Sequence, residues 1–363
     1  MTLQLANLLV RNEPDRAYPY AQEALATYAR LAAREPENTE HLDNLAFTYN
    51  VLASISSRRH DLKQTFEYVR KGMEIRERLL KLKPDDVSVE RSLMISYGRM
   101  GDIVGGAFEN LGDPKAALDY YRKCISIAQH MLAKDPENNM ARSDLANAQM
   151  RAGHTLTAPE QREESLELLS QAAAGFETVF ASGQANVSLR LTAGTALSYV
   201  ADRLRSGGDT AQALERARQA VQYLAPAAAT GDLTSQPELA ATQQLIACLL
   251  ADRGERGLAL EMAGKAAETV QRYSANKATA FGGGFTTYWA RLGAMYEALA
   301  RRTNTPPEQR LADWRAAMES YEKSAKEWRQ SRAPSRQAEV AILESKTAEC
   351  GREIAGLTPQ AGR

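Results

Sequence analysis

Apolar and small residues recur along this chain at spacings of three and four. Ala117, Tyr121, Cys124, Ala128 and Leu132 are separated by 4, 3, 4 and 4 positions. Leu62, Phe66, Val69 and Met73 follow at 4, 3 and 4, and Val340, Leu343, Thr347, Cys350 and Ile354 at 3, 4, 3 and 4. An α-helix returns to the same face about every 3.6 residues, so each set predicts one buried helical stripe. The stretches between Gly and Pro markers run to roughly 20 residues and are rich in good helix formers. Runs of β-branched residues are almost absent.

The punctuation is also periodic. Arg34-Glu35-Pro36-Glu37-Asn38, Leu82-Lys83-Pro84-Asp85-Asp86 and Lys134-Asp135-Pro136-Glu137-Asn138 share one form, with prolines 48 and then 52 residues apart. Proline lacks the N–H that would continue a helix and clashes with the preceding turn. The acidic or amide residue that follows can cap the next helix and suits its positive end. A second break falls inside each interval, at Arg58-Arg59-His60-Asp61 and Asn110-Leu111-Gly112-Asp113-Pro114, and further breaks follow at Thr157-Ala158-Pro159-Glu160, Ser206-Gly207-Gly208-Asp209 and Asp252-Arg253-Gly254-Glu255. Asp113 before Pro114 reads as an N-cap followed by proline at the first helical position. The chain therefore reads as long helix, short turn, long helix: a stack of helix hairpins.

Composition narrows the function. Lys+Arg and Asp+Glu are both 45, a formal net charge of zero. That leaves no positive excess for DNA or RNA, and no polybasic face for a membrane surface. No apolar run reaches the ~18 residues that membrane insertion requires. The first residues lack a basic start and a cleavage site, so a cytoplasmic location is expected. Cys124, Cys248 and Cys350 are too far apart and too few for a disulfide framework or a zinc pattern, and read as buried or half-buried small side chains.

Several positions resemble the tetratricopeptide signature, Trp-x2-Leu-Gly-x2-Tyr on a first helix, then Ala-x3-Phe and a small residue on a second. Trp289, Leu292, Gly293 and Tyr296 reproduce the first half, and Ala317, Tyr321 and Ser324 the second. Partial matches are Ile246, Ala247 and Leu250 with Ala259, Ala263 and Ala266; Val104, Gly105 and Phe108 with Ala117, Tyr121 and Cys124; and Leu45, Ala46 and Tyr49. The repeat departs from the family's 34-residue period, because its helices are longer by one to two turns. Long-helix arrays of this kind look like the C-terminal arrays of bacterial serine/threonine kinases.

The resemblance implies an all-α, right-handed superhelical solenoid of antiparallel helix hairpins, about six to seven pairs. Its expected organisation is an N-terminal cap or truncated repeat over 1–14, the array over 15–332, a capping helix over 333–356 and a disordered tail over 357–363. The array starts mid-repeat at Ala17, Ala21 and Ala24, so residues 3–10 are either a short cap or the continuation of a longer polypeptide.

Catalytic patterns are missing from the sequence. There is no His-Arg-Asp loop, no Asp-Phe-Gly and no Gly-x-Ser-x-Gly elbow. Gly282-Gly283-Gly284 lacks phosphate-loop spacing and reads as a flexible helix entry. His41, His60, His130 and His154 form no ligand pair. Glu163 and Glu164 read as helix-start acids. Tyr120, Tyr121, Tyr288, Trp289, Tyr296, Trp314, Tyr321 and Trp328 read mostly as packing. The chain is expected to be no enzyme and to need no cofactor.

In the family, partners lie against the first helix of each pair. Carried onto the matching registers, its contact positions are Asp43 and Asn50 around Leu45, Gln244 around Ile246 and Glu297 after Leu292. Looser registers on Leu93 and Leu145 add Arg91 and Asn147, with Arg99 and Arg151 one step further. The arginines either receive acidic groups or are ordinary exposed charges. The family's carboxylate clamp is absent, since its first pair of positions holds Asp43 and Phe47. The expectation is a protein-interaction scaffold binding a protein or peptide. The alternative is the regulatory or sensor region of a serine/threonine kinase or transcription regulator.

Overall fold

The computed structural model describes residues 2–106, 110–183, 186–230, 234–275, 286–330 and 334–358. Gly282-Gly283-Gly284 and Phe108, singled out in the sequence, lie outside them. Contacts between Cα atoms divide the chain into two units, Met1–Leu156 and Thr157–Arg363. All regular structure among the described residues is helical.

The first unit runs α1 (Thr2–Leu9), α2 (Pro14–Arg34), α3 (Thr39–Arg58), α4 (Leu62–Leu82), α5 (Val87–Gly105), α6 (Pro114–Lys134) and α7 (Asn139–Thr155). Each helix packs on the next. The second unit runs, after a 3-10 turn at Pro159–Gln161, α8 (Arg162–Ala181), α9 (Val187–Ser206), α10 (Thr210–Ala229), α11 (Ser235–Asp252), α12 (Arg256–Ala275), α13 (Thr286–Ala300), α14 (Pro307–Trp328) and α15 (Pro334–Leu357). Here α13 packs chiefly on α11 and α14, and α15 closes on α14.

The proline punctuation acts as the sequence predicts. Glu35, Lys83 and Asp135 end α2, α4 and α6, each directly before its proline. The Asn38 carboxamide oxygen then accepts from Glu40 N and His41 N at 3.1 and 3.2 Å. Asp86 caps Ser88 N and Val89 N, and Asn138 caps Ala141 N. The turns inside hairpins use a second device. His60, Gly112 and Gly208 have φ of 57°, 85° and 85°, and each precedes an aspartate that caps the next helix. A left-handed residue reverses the chain, and the aspartate satisfies an orphan N–H of the first turn.

Small residues set how closely paired helices approach. A Cβ on Gly101 would lie 2.5 Å from the Tyr121 ring, and one on Gly293 would lie 2.6 Å from the Tyr321 ring. The signature glycine of α13 thus has its counterpart at Gly101. The register drawn through Val104 and Gly105 moves back by one turn, because Gly105 ends α5 and faces the backbone at Asp113. Tyr121, Tyr288, Trp314, Tyr321 and Trp328 are buried, whereas Tyr120, Trp289 and Tyr296 are partly exposed. The three cysteines are buried free thiols. Burial pushes Cys124 up to about 12 and Cys350 up to about 11.

Candidate functional site

In the first unit α3, α5 and α7 are the helices entered after a proline. On α3, residues 43, 47, 50 and 54 fall on one stripe, as do 91, 95, 98 and 102 on α5. Side chains on these stripes reach from one first helix to the next. Arg99 of α5 donates to Ser54 Oγ of α3 at 3.2 Å. Arg91 of α5 grips Asp144 of α7 with Nε and NH2, at 2.6 and 3.2 Å. Arg151 of α7 donates to Asp102 of α5 at 2.7 Å, and Asp102 also accepts from the Tyr121 hydroxyl at 2.8 Å.

Six of the eight residues picked from sequence therefore lie on these three helices. Asp43 is exposed; Asn50, Arg91, Arg99, Asn147 and Arg151 are partly exposed. On the same helices stand two large apolar residues that are exposed: Phe47, at 37%, and Ile95, at 42%. They occupy equivalent register positions on neighbouring helices.

The other two residues are placed differently. Gln244 is fully buried in α11, beside the Tyr288 hydroxyl of α13. Glu297 is held where α13, α14 and α15 meet: it accepts from the Tyr321 hydroxyl at 2.6 Å, from Lys346 Nζ at 3.0 Å and from Arg301 NH2 at 2.9 Å. Burial pushes the Glu297 carboxyl up, but these hydrogen bonds outweigh it and hold it below the ordinary value.

One residue that the sequence did not flag stands out. Arg76, on the second helix α4, is 4% exposed. Its NH1 points between α3 and α5 and donates to Ser96 Oγ at 3.1 Å, with Asn50 Oδ1 and the Gly72 carbonyl at 3.4 Å. Its Nε is buried with no hydrogen-bond partner. Desolvation lowers its pKa to about 10, with Asp43 opposing and Arg99 reinforcing that shift. The only signal in the sequence is Gly72, one turn earlier, where a Cβ would come within 3.3 Å of Arg76 NH1.

Among the described residues no group of three or more His, Cys, Asp or Glu is placed to hold a metal ion. No helix there is long and apolar enough to cross a membrane.

No protein-family model matches this sequence, and no curated protein matches it by sequence. Solved structures do match. BtubC (BKLC) from P. vanneervenii is similar at a TM-score of 0.50 and 14% identity, over 72% of this chain and 92% of its own. Aspartyl phosphate phosphatase F from Bacillus subtilis is similar at 0.50 and 12%, over 90% of this chain and 73% of its own. A Rap protein complexed with competence and sporulation factor aligns over 98% of both chains at 0.47 and 10%. Identities this low speak to fold alone. In fold, the chain is an all-α, tetratricopeptide-like helical-repeat protein.

Proposed function

We propose that this chain is a non-catalytic protein-interaction module, and that its first unit binds a peptide or protein segment along the face shared by α3, α5 and α7. The observation that carries the reading is the pair Phe47 and Ile95, exposed at equivalent positions of α3 and α5, on helices that also carry the exposed or partly exposed Asp43, Asn50, Arg91 and Arg99. Exposed apolar groups within a polar rim are the ordinary composition of a docking surface. Helices already tied to one another by Arg91–Asp144 and Arg151–Asp102 offer a rigid surface, which lowers the entropy lost on binding. Covering ~150 Å² of apolar surface at ~25 cal/mol/Å² contributes roughly 4 kcal/mol before those losses.

Selection of displayed peptides against the purified chain tests this. Peptides that bind are expected to lose at least about thirtyfold in affinity to Phe47→Asp combined with Ile95→Asp, the scale of a central anchor pair. The helical circular dichroism should stay unchanged, and the melting temperature should fall only by the share of each side chain that is covered. Retention of full affinity by the double variant would place binding elsewhere.

A further inference from the structure

Four arginines that bridge helices among the described residues do so through an aspartate. Arg91 is paired with Asp144, Arg151 with Asp102, Arg205 with Asp252 and Arg256 with Asp313. Arg76 and Arg99 lie close enough to repel one another, yet both donate only to neutral acceptors: Ser96 Oγ, Asn50 Oδ1 and the Gly72 carbonyl for the first, and Ser54 Oγ for the second. Both hydroxyls give their own proton to a carbonyl one turn back, Ser96 to Ser92 and Ser54 to Asn50. They can therefore offer the arginines lone pairs but no charge.

The surrounding charges do not balance. Arg76, Arg99 and Arg151 face Asp43 and Asp102. Asp102 is engaged by Arg151 and Tyr121, and acts on Arg99 only at longer range. Asp43 acts on Arg76 likewise at longer range and is exposed to solvent. One positive charge remains without a partner, on a side chain that is 4% exposed and has an orphaned Nε. A buried cation without a counter-charge costs free energy, and a ligand that supplies that charge recovers it. Guanidinium groups are planar forks matched to carboxylate and phosphate oxygens.

We infer that Arg76 and Arg99, between α3, α4 and α5, form a binding site for the oxyanion of an acidic group, carboxylate or phosphate, on the bound peptide. This rests on the reading of the α3–α5 surface as the docking face. Phe47 lies two turns before Ser54 on α3, and Ile95 one turn before Arg99 on α5. The site therefore takes a segment in which an acidic group adjoins an apolar one.

Arginine side-chain N–H resonances of the full chain, followed during titration with inorganic phosphate and separately with acetate at constant ionic strength, test the site without any peptide. A saturable shift of the Arg76 Nε–H and of the Arg99 resonances is expected. Arg99→Gln should weaken it at least about tenfold, the scale of one charge-assisted contact. Arg76→Lys should retain weaker binding, and Arg76→Met should abolish it. The Arg99 variant, at a partly exposed position bonded to Ser54 Oγ, guards against misfolding of the Arg76 variants. Saturation by phosphate alone assigns the site to phosphorylated segments, and saturation by acetate as well assigns it to Asp or Glu side chains. Shifts that never saturate, or that are identical in Arg99→Gln, overturn the inference. Peptide binding through Phe47 and Ile95 would survive that result. Saturable anion binding by a chain that captures no peptide would instead overturn the docking reading.

Discussion

Replacing Trp314 by alanine is expected to lower the stability of the second unit by about 3–5 kcal/mol, the cost of deleting a large aromatic from a closed core. Trp314 is 1% exposed and sits among Ala300, Ala317, Tyr321, Val340 and Leu343, with the Arg301 guanidinium 5.2 Å from its ring centroid. Removing the indole empties the space that α14 fills under α13 and α15, and it frees Arg301 from the ring face. Its Nε1 has no hydrogen-bond partner, so most of what is lost is packing. Trp314→Phe should accordingly cost less than half as much. Guanidinium denaturation followed by tryptophan fluorescence measures this in one unit, because Trp289, Trp314 and Trp328 all belong to Thr157–Arg363. A loss under about 1 kcal/mol would mean that the core around α14 closes over the gap.

The second large effect concerns Glu297. Removing one member of a buried charge cluster costs about 3–5 kcal/mol, and pairs with exposed partners cost less. Arg301 and Lys346 are 47% and 39% exposed at their side chains, so Glu297→Ala is expected to cost about 2 kcal/mol. The loss should fall on α15, which the cluster fastens through Lys346. The pH dependence follows from the lowered carboxyl. A group with a depressed folded pKa contributes stability that is complete above its unfolded value, near 4.5 here, and lost as pH falls through the folded value. The second unit should therefore loosen below pH 4.5, and Glu297→Gln should flatten that acid limb. Fluorescence of Trp328, stacked 3.8 Å from the Arg336 guanidinium of α15, follows the detachment. An unchanged acid limb in Glu297→Gln would assign the sensitivity to other carboxylates.

The repeat architecture was legible because its determinants are local. Pro36, Pro84 and Pro136 act within one turn of their caps Asn38, Asp86 and Asn138. The glycine at 293 and the tyrosine at 321 belong to consecutive helices. The buried face of α15 shows directly in the spacing of Val340, Leu343 and Cys350.

What was not legible depends on contacts between hairpins. Arg91 and Asp144 lie 53 positions apart, and no local pattern announces that they meet. Gln244 and Glu297 share the register of surface positions, yet the neighbouring helices α13 and α15 enclose them. Arg76 sits on a second helix at a position that reads as a solvated face. Only the approach of Ser96 and Asn50 turns it inward. Phe47 stands in sequence at a position of the carboxylate clamp, whereas nothing marks Ile95, since periodicity alone does not say which stripe a neighbour will cover.

Binding along α3, α5 and α7 is tested most directly by a hydrogen-exchange footprint of a selected peptide bound to the full chain. Slowed exchange is expected in segments 43–54, 91–102 and 144–151, on α3, α5 and α7, with no slowing in the second unit. A footprint confined to α2, α4 and α6, or to Thr157–Arg363, would contradict it.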